Sequence, residues 1–264
     1  MIARSIPIGH EEDERHQHWL TRWLAHKQPT GHKHFLVLFS EKGGARSDVM
    51  EPLRQTIRDY YIDPNVTAKR IAELGASQTA ALLREHLPTL KRARSGDMGE
   101  ILAVEISEHY LNYPVPVRRL RWKDGREMAL RGDDVVAFRR DDDRLSFLKG
   151  EAKSRARLTP AVVQQASKAL DQDDGRPSRH SVLFVADRLR EQGADEVARL
   201  LENAVLNGFS GCKVAHLLFT FSGNSPEAPL FNHLKALQSQ KRRYAVGLQI
   251  NDHGEFIRSS YEGL

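Results

Sequence analysis

Cysteine and long apolar runs are both scarce in this chain of 264 residues. The single cysteine, Cys212, excludes an internal disulfide and a zinc site built from cysteines. No unbroken apolar run exceeds five residues, whereas a helix that spans a membrane needs about 20. The N-terminus lacks the apolar segment of a signal peptide and runs into an acidic stretch at residues 11–14. We therefore expect a cytoplasmic protein that does not insert into a membrane.

The overall composition is that of an ordinary folded protein. Apolar residues make up 40% of the chain and charged residues 28%, which is enough to build a core and is unlike a disordered chain. The net charge of +5 is small, so basic groups influence function only where they cluster. Neither a glycine-rich loop with Walker spacing nor an internal repeat is present, so we predict no nucleotide site and no repeat architecture.

Apolar runs and helical patterns alternate along the chain, which predicts a mixed α/β protein. Strands are predicted at residues 35–39, 115–122, 134–139, 145–153, 182–185, 214–221, 244–250 and 255–258, and helices at 48–61, 67–86, 97–110, 188–206 and after Thr159-Pro160. From residue 96 the predicted order begins α-β-β-β-α-β. The basic, polar residues 91–96 form the expected boundary between an N-terminal α/β segment, residues 1–95, and a larger domain, residues 96–264.

Two neighbouring predicted strands carry acids and a lysine in a geometry that can be worked out. Side chains alternate between the faces of a strand, so Glu151 and Lys153 share one face. If the two strands form a symmetric hairpin, Phe138 faces Phe147 and Asp134 faces Glu151, and directly opposed Cβ atoms lie about 4.5–5.5 Å apart. Two carboxylates at that separation repel each other. A bound divalent cation removes this repulsion.

Two acids and a lysine are the groups that metal-assisted hydrolysis of a phosphodiester requires. Carboxylate oxygens bind Mg²⁺ or Mn²⁺, which polarises the phosphate and lowers the pKa of an attacking water. The lysine ammonium orients that water and offsets the charge that develops on phosphorus. A shift of register by one residue would place Asp133 rather than Asp134 opposite Glu151, so both aspartates are candidate metal ligands. The alternative is that Glu151 and Lys153 are ordinary charges on an exposed strand.

Asp134, the two valines that follow it and the tripeptide Glu151-Ala152-Lys153 resemble the motif of the PD-(D/E)xK nucleases. The proline that precedes the first aspartate of that motif is absent, and Asp133 stands in its place. The resemblance implies a restriction-endonuclease-like fold, in which a mixed sheet is flanked by helices. It also implies a supporting acid on the first core helix, the place that Glu100 occupies.

Three short stretches narrow the resemblance further. Residues 96–100 (GDMGE), 131–134 (RGDD) and 150–154 (GEAKS) together are similar to the nuclease subunits of the Hachiman anti-phage defence systems. This similarity implies a Mg²⁺-dependent deoxyribonuclease that a superfamily 2 helicase subunit holds in check until DNA is sensed. We expect residues 1–95 to be the surface on which that helicase docks. The alternative is a non-catalytic module that binds DNA or regulates a helicase and has kept the nuclease-like fold.

Overall fold

The computed structural model describes residues 18–29, 33–141 and 144–264. The strands are β1 (Leu24–Lys27), β2 (Phe35–Glu41), β3 (Val135–Asp141), β4 (Arg144–Arg155), β5 (Lys213–Ser222) and β6 (Arg242–Gln249). The α-helices are α1 (Trp19–Trp23), α2 (Arg46–Tyr61), α3 (Pro64–Leu74), α4 (Ala76–His86), α5 (Lys91–His109), α6 (Pro160–Asp171), α7 (Arg179–Glu191), α8 (Asp195–Leu206), α9 (Glu227–Ala236) and α10 (His253–Glu262). Short 3₁₀ helices span Arg119–Trp122 and Asp173–Gly175.

The described strands form a six-stranded mixed sheet in the order β1-β2-β6-β5-β4-β3. The four central strands, β2, β6, β5 and β4, are parallel to one another. The two edge strands are antiparallel, since β1 pairs with β2 and β3 pairs with β4. The expected mixed sheet flanked by helices is therefore confirmed.

Helices cover both faces of the sheet, and the strand residues alternate between the two layers. On one face, Val135 and Ala137 of β3 pack in the main core with residues of α1, α2, α5 and α10. On the other face, Val136 and Phe147 pack with α7 and α8. Helices α6 and α9 cover the neighbouring strands on this face, where they pack against residues such as Leu218 of β5. This two-residue alternation is what a sheet covered on both sides requires.

The expected boundary between residues 95 and 96 falls inside helix α5. The residues before it supply β1 and β2 to the same sheet, and β2 pairs with β6 at the other end of the chain. The main core likewise combines residues from both sides of this position, such as Leu53 and Phe219. The two segments thus share one sheet and one core. A docking role for residues 1–95 stays a prediction.

Three predicted strands in the larger segment are wrong: 115–122, 182–185 and 255–258. Residues 182–185 lie in helix α7, whose start Ser178 caps by accepting a hydrogen bond from the Ser181 backbone N–H. A short apolar run does not distinguish a strand from a buried turn of helix. Here the buried residues Val182, Val185 and Leu189 are three and four positions apart, which is the spacing of one face of a helix. Residues 115–122 form no strand of the sheet, and the last four of them form the 3₁₀ helix.

Four predictions that involve helices also differ from the structure. The helix predicted at 67–86 is broken at Gly75, which has a φ of +85°, and the one predicted at 188–206 is interrupted around Gly193, with a φ of +79°. Residues 255–258 lie in α10 rather than in a strand. Asp97 does not cap a helix, because α5 begins at Lys91 and buries Asp97 in its interior. Pro160 opens α6 as expected.

No helix within the described ranges is long and apolar enough to cross a membrane.

Candidate functional site

The hairpin of β3 and β4 has the register that places Asp134 near Glu151. Phe138 pairs with Phe147 as expected, and the ladder ends at the pair of Val135 and Gly150. One further step along the same register puts Asp134 opposite Glu151. The Asp134 carboxylate also accepts a hydrogen bond from the backbone N–H of Ala152, at 2.9 Å from Oδ2. This bond fixes the aspartate beside the strand that carries the glutamate and the lysine.

Glu151 and Lys153 lie on one face of β4 and form an ion pair. The Nζ of Lys153 is 2.5 Å from Oε1 of Glu151, and the two side chains are 17% and 15% exposed. Both are therefore accessible from solvent without lying on an open surface. This position suits groups that must meet a substrate.

Glu100 approaches the same strands from helix α5. The residue before it, Gly99, faces Ser154 of β4 so closely that a Cβ at position 99 would lie 3.1 Å from the Ser154 Cβ. The absence of a side chain at Gly99 thus lets α5 pack directly against β4. This packing brings Glu100 close enough to Asp134 for the two carboxylates to repel each other.

Burial raises the pKa of all three acids, and the Asp134 charge adds to this shift at Glu100 and Glu151. The pKa of Glu100 is raised to about 8, first by burial and then by the Asp134 charge, although the guanidinium of Arg119 opposes the shift. Burial and Asp134 together raise the pKa of Glu151 to about 7, against the opposing effect of Lys153. The pKa of Asp134 is also raised, mainly by burial. Burial therefore favours the protonated form of these acids, and a bound cation would favour the ionised form.

The three acids are near one another but do not converge on a single point. Their ligand oxygens are not all within 4.8 Å of one another in the part of the chain that the structure describes. One oxygen of Asp134 is engaged by the Ala152 N–H and one oxygen of Glu151 by Lys153, which leaves each carboxylate a second oxygen. Carboxylate oxygens are the hard donors that Mg²⁺ and Mn²⁺ accept.

Asp133, the other candidate ligand, is engaged elsewhere. Its Oδ2 accepts a hydrogen bond from the Ser178 N–H at 2.7 Å, at the start of α7. Its Oδ1 lies 3.5 Å from Nζ of the buried Lys149, and its own N–H donates to Ser181 at 2.9 Å. The Asp133 side chain thus ties the loop before β3 to α7. This leaves Asp134 as the stronger candidate for a metal ligand.

Arg119 is a residue of the site that the sequence did not reveal. Its guanidinium is 7% exposed and donates to the backbone carbonyls of Asp133 and Arg131, the latter at 2.6 Å. Its charge also opposes the rise in the pKa of Glu100 and of Asp134 that burial causes. Because residues 115–122 resembled a strand rich in arginine, nothing local distinguished Arg119 from its part-buried neighbours Arg118 and Arg121. It holds the loop that leads into Asp134.

The raised pKa of Glu100 leads to a prediction for the metal-free protein. Glu100 keeps its proton in the folded state up to about pH 8, whereas an exposed glutamate loses it near its ordinary pKa of 4.5. Stability that is fully present below about pH 4.5 is therefore lost as the pH rises towards 8. Glu100→Gln is neutral at every pH, so it should restore this free energy of unfolding at pH 8. The melting temperature at pH 8 is expected to rise by about 2–4 °C for each kcal/mol restored, and the melting temperature at pH 4 should change little.

Thermal unfolding in the presence of a chelator, at both pH values, measures this effect. Glu85→Gln, an exposed change on α4, is the matched control and is expected to leave the melting temperature unchanged. Equal melting temperatures for Glu100→Gln and the wild type at pH 8 would show that ionisation of Glu100 does not destabilise the fold.

Comparison with known proteins shows the family to which the chain belongs. A family model described as HamA matches residues 14–264, which is most of the chain. The chain belongs to the HamA family. The Hachiman protein HamA of Bacillus cereus is 24% identical to it over 176 residues, which cover 66% of this chain and 62% of the relative. This HamA chain thus spans about three fifths of the length of the curated relative that it matches.

Proposed function

We propose that this HamA chain is a Mg²⁺-dependent deoxyribonuclease with a PD-(D/E)xK site, which acts as the effector of Hachiman defence. The observation that carries the proposal is the hairpin that sets Asp134 beside Glu151 and Lys153. Two acids and one lysine in this arrangement, with a third acid on the adjacent helix, suit phosphodiester hydrolysis better than a structural role. In a structural cluster each acid would have a cation as its neighbour, whereas here the Asp134 charge adds to the effect of burial in raising the pKa of Glu100 and Glu151.

The donor set fits a hard divalent cation. Asp134 and Glu151 each have an oxygen available, and Glu100 supplies a further carboxylate from α5. When bound, Mg²⁺ or Mn²⁺ would polarise the scissile phosphate and lower the pKa of the attacking water. The same charge would offset the Asp134 charge, which adds to the effect of burial in raising the pKa of Glu100 and Glu151.

The residues of the chain have separate roles in this proposal. The Lys153 ammonium is within reach of Glu151 and faces the same side of β4, so it can orient the attacking water and offset charge on the phosphate. Arg119 fixes the loop before Asp134 and keeps that carboxylate in place. Arg155 and Arg157, exposed just beyond Lys153, suit contacts with phosphates on either side of the scissile bond. Such contacts select DNA without reading its sequence.

The nuclease assay itself separates this proposal from the alternative. Purified protein is expected to cleave plasmid DNA with Mg²⁺ or Mn²⁺ and not with a chelator. A non-catalytic module that binds DNA or regulates a helicase would retain DNA without cutting it under either condition, both alone and with a helicase subunit and ATP. That result would favour the alternative.

We also propose that a helicase subunit docks on the N-terminal segment. The helical pair α3 and α4 contributes little to the core, since α3 has no buried residue and α4 buries only Thr79. Apolar side chains on this pair are exposed by 38–45%: Val66, Ile71, Leu74 and Leu82. Exposed apolar groups gathered on one element are typical of a protein–protein interface. A nuclease that does not read sequence needs such a restraint, because it would otherwise attack the DNA of its own cell.

A charge placed on this surface is expected to release the nuclease from its restraint. Ile71→Asp should weaken co-purification with the helicase subunit by at least about tenfold, because it buries a charge in an apolar contact. Cleavage that requires ATP in the wild-type complex should then occur without ATP. Leu206→Asp is the control, since Leu206 is 80% exposed on α8, away from this surface. Unchanged complex formation by Ile71→Asp would remove α3 and α4 from the interface, and ATP-independent cleavage by the wild-type complex would contradict the restraint.

A further inference from the structure

A second polar cluster lies near the C-terminal end of helix α5, beyond the residues of the nuclease site. It consists of His18, Glu105 and His109, which we call the His–Glu–His cluster. His18 precedes α1 in the N-terminal segment, whereas Glu105 and His109 lie one turn apart on α5. The Glu105 side chain is buried, at 6% exposed, while His18 and His109 are 20% and 32% exposed. The cluster is thus a buried carboxylate with two imidazoles that solvent can reach.

The distances in the cluster are long for hydrogen bonds. The Nε2 atom of His18 is 3.4 Å from Oε2 of Glu105, and that of His109 is 3.8 Å from the same oxygen. Ordinary N–H···O bonds measure about 2.7–3.2 Å. Two ligands that each lie about 2.0–2.2 Å from Zn²⁺ at a tetrahedral angle are separated by about 3.3–3.6 Å. The separation of 3.4 Å is that of a tetrahedron edge around an ion, and 3.8 Å is slightly longer. In the absence of an ion, burial opposes the ionisation of Glu105, and His18 acts as a weak hydrogen-bond donor that lowers the pKa of Glu105.

We propose that His18, Glu105 and His109 bind one divalent transition-metal ion, with Zn²⁺ the favoured occupant. Two imidazole nitrogens and one carboxylate oxygen are a common set of three protein ligands for Zn²⁺, and a water completes the tetrahedron. Imidazole donors also favour Zn²⁺ over Mg²⁺, which prefers oxygen. The site is distinct from the one formed by Glu100, Asp134 and Glu151, whose donors are all oxygens.

The surroundings of Glu105 support this role. The hydroxyl of Tyr60, on α2, donates a hydrogen bond of 2.7 Å to Oε1 of Glu105. This bond fixes the orientation of the carboxylate and leaves Oε2, the oxygen nearest both histidines, for the ion. A hydrogen bond from a neighbouring group to a ligating carboxylate is a usual feature of metal sites.

Binding requires a small rearrangement of the two imidazoles. Their rings are stacked, with centroids 3.6 Å apart and an angle of 20° between planes. The nitrogen lone pairs lie in the ring planes, so the rings must rotate apart before both point at one ion. The Nδ1 of His18 accepts a contact of 3.4 Å from the Leu20 N–H, and binding through Nε2 would place a proton on Nδ1 and end that contact. A contact of this length contributes little, so its loss costs little.

An ion at this position would join two parts of the chain that are far apart in sequence. It would tie the start of α1 to α5, the helix that carries Glu100 five residues before Glu105. Because an ion that binds only the folded state stabilises it, the metal is expected to raise the melting temperature.

Titration of the full-length, metal-free protein with Co²⁺ and Zn²⁺ tests the proposal. Co²⁺ absorbs visible light strongly in a tetrahedral site with nitrogen ligands and weakly in an octahedral site of oxygens. The spectrum therefore distinguishes binding at this cluster from binding at Glu100, Asp134 and Glu151. We expect tetrahedral bands that saturate at one equivalent of Co²⁺ and that Zn²⁺ abolishes. The melting temperature is expected to rise with Zn²⁺.

His109→Ala is expected to lose the tetrahedral bands and the stabilisation by Zn²⁺, and His109→Gln, which keeps a polar side chain of similar length, should lose them too. His86→Ala is the control, since His86 is exposed on α4 and lies outside the cluster. Circular dichroism confirms that each variant is folded. Tetrahedral bands of equal strength in a folded His109 variant, or their absence from the wild type, would overturn the proposal. Either result leaves the nuclease assignment intact, because that depends on the oxygen-ligand site and on cleavage.

Discussion

Lys153→Ala is expected to reduce the rate of Mg²⁺-dependent DNA cleavage by about 10²- to 10³-fold, the usual effect of removing one group that stabilises charge in a transition state. The Lys153 side chain has Glu151 as its hydrogen-bond partner and is 17% exposed. Its removal therefore leaves no cavity in the core, and the variant should fold normally. Cleavage is measured on plasmid DNA at saturating Mg²⁺, and folding by circular dichroism and thermal unfolding.

Lys168→Ala is the matched control for this change. Lys168 is exposed on α6, so its loss removes one positive charge without touching the hairpin. If both variants lose activity equally, the effect arises from weaker attraction of DNA rather than from the chemistry at Lys153. If Lys153→Ala loses activity only because it unfolds, the side chain has a structural role and the proposed mechanism is wrong.

The second large effect should separate the two neighbouring aspartates. Asp134→Asn is expected to weaken Mg²⁺ or Mn²⁺ binding by at least about tenfold while keeping or raising the stability of the metal-free protein, because it removes a charge that repels Glu100 and Glu151. Asp133→Asn is expected to bind metal normally. It should instead destabilise the fold by about 1–3 kcal/mol, since it leaves the buried Lys149 without a carboxylate.

Calorimetric titration with Mn²⁺ and thermal unfolding with a chelator measure both effects on the same two variants. The reverse result, in which Asp133→Asn loses metal and Asp134→Asn loses stability, would assign the metal to Asp133. Such an outcome would also mean that the loop before β3 rearranges when metal binds, since Asp133 now engages Ser178.

The sequence predicted the hairpin well, because its signals are local. Residues of alternating character on both sides of a short polar turn define which side chains share a face, and the pair Phe138–Phe147 sets the register. Once that register is known, the position of Asp134 relative to Glu151 follows without any knowledge of the rest of the fold. The candidate site was accessible to sequence reasoning for this reason.

Other features could not be predicted because tertiary packing decides them. Helix α5 begins at Lys91, before any capping residue, and its burial against the sheet depends on the contact of Gly99 with Ser154. Arg119 acts through backbone carbonyls, which no side-chain motif records. In the His–Glu–His cluster only the helical spacing of Glu105 and His109 is visible in the sequence, whereas His18 comes from a distant segment.

The order of the strands has a consequence for how the protein is made. Strand β2 is synthesised early, yet its partner on the inner side is β6, more than 200 residues later on the chain. Until β6 emerges, β1 and β2 have no connection to β5, β4 and β3, because β6 is the strand that lies between the two groups. In a chain that ends before residue 242, the sheet therefore stays in two separate parts. The part that carries Asp134, Glu151 and Lys153 then lacks strands β1 and β2. Pairings between such distant segments form slowly, so the acids of the hairpin are in place before the sheet around them closes. The hairpin that carries Asp134, Glu151 and Lys153 can therefore form early, whereas the sheet around it is completed only when β6 pairs with both β2 and β5.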